Sequence, residues 1–244
     1  MTTVLLLAGT AEARMLAAAM ADMPGVRGIA SLAGATRHPE PLALPTRIGG
    51  FGGDAGFAAF LDAQGIDAVL DATHPFAARI SARSWAICRD RGLPYLQVLR
   101  PAWHPGLGDR WTMIADEAEA TRHIRRPATV FLATGRQTLA HFAALSDCRL
   151  YCRQIDAPEV PFPFANGAFL IGRPPFSVPD EAALFSRLKI DWLVVKNAGG
   201  QPSRSKLDAA RQIGLPVLMI ARPSATGAPE VETVAAALQW LRQR

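Results

Sequence analysis

The feature that most constrains this chain is its alternation. Short apolar runs and helix-length amphipathic stretches follow one another almost throughout. "TVLLLA" (3–8) leads into "TAEARMLAAAMADM", "VRGIAS" (26–31) follows, and "LPTRIGGF" precedes "GDAGFAAFLDAQG". "DAVLDA" (67–72) leads into "FAARISARSWAICRDRG", and "LPYLQVLR" (93–100) closes this half. A second set follows: "TVFLAT" with "GRQTLAHFAAL", "CRLYCRQI", "DEAALFSRLK", "DWLVVKNAGG" (191–200) with "SRSKLDAARQIG", "LPVLMIARP" (215–223), and a last helix "EVETVAAALQWLRQ". Strands joined by helical crossovers predict parallel sheets covered on both faces, an α/β fold. Half the residues are hydrophobic but only 7% are aromatic, which suits Ala-, Leu-, Val- and Ile-rich helices on such sheets.

The aperiodic stretch "PAWHPGLGDRW" (101–111), with two prolines and two glycines, reads as a boundary. It predicts a nucleotide-binding α/β domain over 1–101 and a second α/β domain over 102–244. In open parallel sheets, ligands lie beyond the C-terminal ends of the strands, so the expected site is the cleft between two such sheets.

Several classes are disfavoured. The apolar runs are strand-length, well short of the ~20 residues of a spanning helix, so no membrane partner is expected. The N-terminus enters a strand directly, which predicts a cytoplasmic protein. Cys88, Cys148 and Cys152 are too few for a disulfide framework and lack a companion set for a metal, and they read as small buried apolar residues. The net charge is +5, and of 26 basic residues only Lys189, Lys196 and Lys206 are lysines. The arginines are scattered, without a basic run interleaved with aromatics, which favours a small polyanion over nucleic acid.

Candidate chemistry gathers at strand exits. Gly9 permits a tight turn after the first strand, and Thr10 can cap the next helix, whose N-terminus can hold a phosphate. The turn lacks the full Gly-x-Gly-x-x-Gly pattern. The second strand ends near Ser31, where NAD-binding chains carry a carboxylate; here none occurs before Glu40. Ser31, Thr36 and Arg37 suit a 2′-phosphate instead, so a dinucleotide would be NADPH. Gly49, Gly50, Gly52 and Gly53 surround Phe51, with Asp54 placed to cap the next helix. In "DATHPFA", Pro75 biases His74 away from helical dihedrals, and Thr73 and His74 would face a ligand at the same edge. Each feature also reads as an ordinary turn, loop or cap.

"LLLAGTAEAR", "SLAG", "GGFGG", "DATHPFA", "ATGR" and "KNAGG" with "K…AA…G.PV..I.RP" occur in an order that resembles the precorrin-6A reductases of the cobalamin pathway, over essentially the whole chain. The resemblance implies two Rossmann-like domains with mostly parallel sheets and NADPH between them. It implies hydride transfer from NADPH to a carbon–carbon double bond of a polycarboxylate tetrapyrrole, converting precorrin-6A to precorrin-6B. It places Gly9, Thr10, Ser31, Gly34, Gly52, Asp71, Thr73 and His74 in the cofactor half; Gly53 and Arg37 are added from the residues themselves. Phe76, Arg136, Asn197 and Arg204 are expected to face the macrocycle, and His74 and Lys196 are the candidate acids. The alternatives are a reductase of a smaller substrate, a non-catalytic dinucleotide-binding module and, least favoured, a nucleic-acid binder. No metal site is expected. The oligomeric state stays open, with a monomer compatible.

Overall fold

The computed structural model describes residues 1–34, 40–201 and 203–244. Two six-stranded sheets organise them. The first holds β1 (Thr2–Leu7), β2 (Val26–Leu32), β3 (Thr46–Ile48), β4 (Ala68–Asp71), β5 (Tyr95–Val98) and β12 (Glu230–Val231), in the order β12-β5-β4-β1-β2-β3. The second holds β6 (Trp111–Ile114), β7 (Thr129–Ala133), β8 (Arg149–Gln154), β9 (Gly167–Ile171), β10 (Trp192–Lys196) and β11 (Val217–Ile220), in the order β6-β11-β10-β7-β8-β9. Every pairing is parallel. Both sheets follow the doubly wound plan of dinucleotide folds, with the order reversing beside β1 and beside β7.

The crossovers are α1 (Ala11–Ala21), α2 (Gly53–Gln64) and α3 (Ala78–Asp90) in the first half. α4 (Glu117–His123), α5 (Val178–Arg187), α6 (Ser205–Gln212) and α7 (Val234–Leu241) follow. β1 shows why its run is continuously apolar. Val4 and Leu6 join a core with Leu16 and Met20 of α1, while Leu5 and Leu7 join another with Phe57 and Leu61 of α2. Successive side chains enter opposite faces, and both faces are covered. Burying each such leucine contributes roughly 1.5–3 kcal/mol. In the second half, Phe131 of β7, Leu193 and Val195 of β10, and Val217 and Met219 of β11 pack with Phe185 of α5 and Leu207 of α6.

The chain divides into one unit of Met1–Pro101 with Pro223–Arg244 and a second of Ala102–Arg222. Residues 223–244, placed with the second half from sequence, therefore pack in the first unit. β12 follows β11 along the chain yet pairs Glu230 with Gln97 and Val231 with Val98 on β5. Ala237 and Leu241 of α7 bury in the core that holds α1. In the second unit, β6 fills the matching edge position beside β11. The edge strand of each sheet thus comes from beyond the stretch that supplies its other five.

Other elements also differ from the expectation. β6, α4 and β9 carry weak periodicity and are not apparent in the sequence. Residues Arg136–Phe142, expected to be helical, form a 3-10 turn. All three cysteines are free and buried. Among the described residues no helix is long and apolar enough to cross a membrane.

Candidate functional site

The order reversal beside β1 places the β1–α1 and β4–α3 loops next to each other. Gly9 adopts φ 148°, a backbone that side chains rarely adopt, and a Cβ there would meet nothing within 4 Å. Conformation, not crowding, therefore requires the glycine, and the space above it is open. Thr10 is the N-cap of α1, accepting from the Ala13 N–H at 3.2 Å. Its hydroxyl also donates to the Ala72 carbonyl at 2.7 Å, which ties the two loops together. The first-turn N–H groups of α1 lie at this edge, a setting that suits an anion. Glu12, in the same turn, would oppose an anion, but Arg100 pairs with it at 2.8 Å; both side chains are 13% exposed.

The loop after β4 is built on a buried carboxylate. Asp71 is 0% exposed. Its Oδ2 accepts from the Tyr95 hydroxyl at 2.6 Å and its Oδ1 from the Thr73 N–H at 2.9 Å. Burial and the adjacent Asp71 charge push the Tyr95 phenol far above its usual range, so it stays a donor. The Thr73 hydroxyl lies 3.2 Å from that of Ser81. Asp71, expected to touch a cofactor, is instead enclosed and holds the Thr73–His74 loop from beneath. His74 Nδ1 accepts from the Phe76 N–H at 3.2 Å, and the two rings lie 5.8 Å apart. That bond belongs to the neutral tautomer with its proton on Nε2.

At the ends of β2 and β3, Ser31 is buried and accepts from Arg47 Nη1 at 2.8 Å. Arg47 also donates to the carbonyls of Gly49 and Gly50, at 2.9 and 2.8 Å, and stacks on Phe51 at 4.0 Å. Sequence reasoning passed over Arg47, although its place just before the glycine loop was a signal. Gly34 closes the described stretch after β2. Arg37 and Thr36 lie outside the described residues. Gly52, at φ 78°, is the N-cap of α2 and Gly53 its first residue. Asp54, expected to cap that helix, lies inside its first turn, 3.9 Å from Arg83. The left-handed backbone at Gly52 starts the helix without a side-chain cap.

The second unit holds the other candidates. Lys196 ends β10 and pairs with Glu117 of α4 at 3.0 Å. Asn197 is 4% exposed, and its side-chain amide spans the backbone of Trp103, accepting from its N–H at 2.8 Å and donating to its carbonyl at 2.9 Å. Trp103 Nε1 donates to Gly200 O at 2.7 Å, and Arg222 donates to the carbonyls of Asn197 and Ala198 at 3.0 and 3.1 Å. The Asn197 side chain, expected to face the macrocycle, is thus engaged with the Trp103 backbone, and its loop clasps the first and last segments of this unit. Arg204 precedes α6 and bonds Asp208 at 3.2 Å, while Arg136 is exposed. Two residues not singled out from sequence stand out here. Arg153 holds Glu181 through paired bonds of 2.6 and 2.7 Å, between the rings of Phe131 and Phe176. Lys206 donates to Ser203 O at 2.5 Å, and burial pushes its ammonium down to about 8 against the opposing pull of Glu181.

The structure thus gathers Gly9, Thr10, Ser31, Gly52, Gly53, Thr73, His74 and Phe76 along one sheet edge. His74 belongs to the first unit and Lys196 to the second. The first edge offers helix N–H donors, open space over glycine and a neutralised Glu12, which fits a diphosphate.

Comparison with known proteins adds independent findings. The family model described as "Precorrin-6x reductase CbiJ/CobK" matches residues 3–242. A precorrin-6A reductase of Rhodococcus erythropolis is 46% identical over 99% of this chain and 98% of its own. One from Rhodobacter capsulatus is 42% identical over 99% and 96%. A solved structure titled "CobK precorrin-6A reductase" superposes with a TM-score of 0.94 at 41% identity, covering 100% of this chain and 97% of that one.

Proposed function

Because the chain belongs to the precorrin-6x reductase family, we propose that it reduces a carbon–carbon double bond of precorrin-6A with NADPH, yielding precorrin-6B, as a cytoplasmic step of corrin-ring assembly. The relatives' names support the substrate. The observation that carries the cofactor side is the junction of the β1–α1 and β4–α3 loops, locked by the Thr10–Ala72 bond.

When bound, the reduced nicotinamide supplies the hydride. Gly9 and the α1 N-terminus would hold the diphosphate, the open space at the glycine admitting it and the helix N–H groups meeting its charge. Arg100 keeps Glu12 from repelling it. Thr73 and His74 would hold the nicotinamide half. His74 Nδ1 accepts from the Phe76 N–H, which holds the imidazole within its loop. We infer an orienting role for His74 in preference to that of the acid.

A proton must also be added to balance the hydride. Lys196, beside Glu117, and Lys206, near neutrality through burial, are the candidate donors, both carried by the second unit. Arg136 is an exposed cation of the same unit that would suit the substrate's carboxylates. The test is an anaerobic mixture of protein, NADPH and precorrin-6A followed in the visible spectrum. Loss of macrocycle conjugation with matching coenzyme oxidation supports the reading; an unchanged spectrum with active-site-competent protein refutes it.

A further inference from the structure

We propose that Arg47, with Ser31, reads the ribose 2′-phosphate of the coenzyme. This rests on the NADPH reading above and names a residue that reading did not use.

Ser31 and Arg47 are register partners at the C-terminal ends of β2 and β3. In a sheet of this order, the end of the second strand lies beside the adenosine ribose, where an acid selects a free 2′-hydroxyl. Here that place is held by Ser31, whose oxygen accepts from Arg47 Nη1 at 2.8 Å. The guanidinium is further fixed by Gly49 O at 2.9 Å and Gly50 O at 2.8 Å. The rings of Phe51 and Phe60 lie 4.0 and 5.3 Å from it.

Among the described residues, its hydrogen-bond partners are neutral oxygens, which leaves the positive charge without a compensating anion. Burial lowers its pKa from the usual value, as expected for a cation partly removed from water. The three bonds use both Nη1 hydrogens and one on Nη2, which leaves Nε–H and the second Nη2–H for a further acceptor. A pre-aimed planar fork of this kind suits a phosphate dianion, which restores the charge balance. The same side chain spans the Gly49–Phe51 loop, so phosphate held here also fixes the glycine loop.

The test is calorimetric titration of the full chain with NADP⁺, NAD⁺ and 2′,5′-ADP, for wild type, Arg47→Met and Arg47→Lys. Wild type is expected to bind NADP⁺ and 2′,5′-ADP well ahead of NAD⁺. Arg47→Met should lose roughly 10- to 100-fold for both phosphorylated ligands, the range of a charged hydrogen bond. Its NAD⁺ affinity should change less than about threefold. Arg47→Lys, which keeps the charge without the fork, should fall between, and it supplies the answer if the Met variant does not fold. Equal losses for NADP⁺ and NAD⁺ would show that Arg47 only scaffolds the loop, and overturn the proposal. Wild-type protein that binds both coenzymes alike would overturn it while the nicotinamide reading survives; wild type that binds neither would defeat both.

Discussion

Replacing Tyr95 with Phe removes one oxygen atom and tests how the His74 loop is held. Tyr95 is 3% exposed and Asp71 0%, and the bond between them is 2.6 Å. A hydrogen bond to a charged group is worth roughly 1.5–3 kcal/mol, and here its loss also strands a buried carboxylate oxygen. We expect a loss of about 2 kcal/mol, which for a chain of this size lowers the melting temperature by roughly 4–8 °C. The Thr73 N–H remains on Oδ1, so the loop is loosened and not removed, and coenzyme affinity should fall several-fold. Calorimetry on Tyr95→Phe, Asp71→Asn and the double variant gives the coupling directly; the double variant should cost clearly less than the two singles added. A Tyr95→Phe protein that melts within about 1 °C of wild type would refute the reasoning, since a paired buried charge cannot lose its partner so cheaply.

Asn197→Ala leaves the Trp103 N–H and carbonyl without their partners, and urea unfolding should show a loss of roughly 2–5 kcal/mol; unchanged stability with a raised substrate KM would instead make Asn197 a ligand. Because Lys206 sits near 8 when folded and near 10.5 when unfolded, the unfolded chain takes the proton first as pH falls. Native stability from this group is therefore full above 10.5 and declines as pH drops toward 8, so Lys206→Met should be more stable relative to wild type at pH 7 than at pH 10.5. A ratio independent of pH in chemical unfolding would contradict that environment. Burial pushes the thiols of Cys88 and Cys152 up to about 12, so an aromatic disulfide reagent at pH 8 should leave both unmodified in the native protein and label them on unfolding; rapid native labelling would show that these cores are open.

The strongly apolar strands were legible because both faces of each sheet are covered. β1 and β4 need no polar residue in alternation, and the glycine after β1 marks its exit. β6 and β9 were not: Met113 and Ile171 are exposed, and edge strands show a broken pattern. The placement of β12 depends on a long-range pairing with β5 that no local window contains. At the candidate site, Gly9, Thr10 and the His74 loop could be singled out from sequence because turn chemistry is local. The enclosure of Asp71 and Asn197 was not legible, since a polar residue at a strand exit looks the same whether it faces a ligand or a backbone. Arg47 was passed over because its meaning lies in the register with Ser31, a residue 16 positions earlier. Lys206 was passed over because only the packed structure shows its burial.

The central claim is that a nicotinamide held at the β1–β4 junction delivers hydride directly to the macrocycle. Anaerobic turnover with NADPH deuterated on the transferred position of the ring, followed by mass spectrometry of the tetrapyrrole product, tests it most directly. One deuterium should be fixed at a ring carbon of the product, with signal lost in step with Arg47 and Tyr95 substitutions that weaken coenzyme binding. Product formed without deuterium, or coenzyme oxidised while the macrocycle stays unreduced, would contradict it.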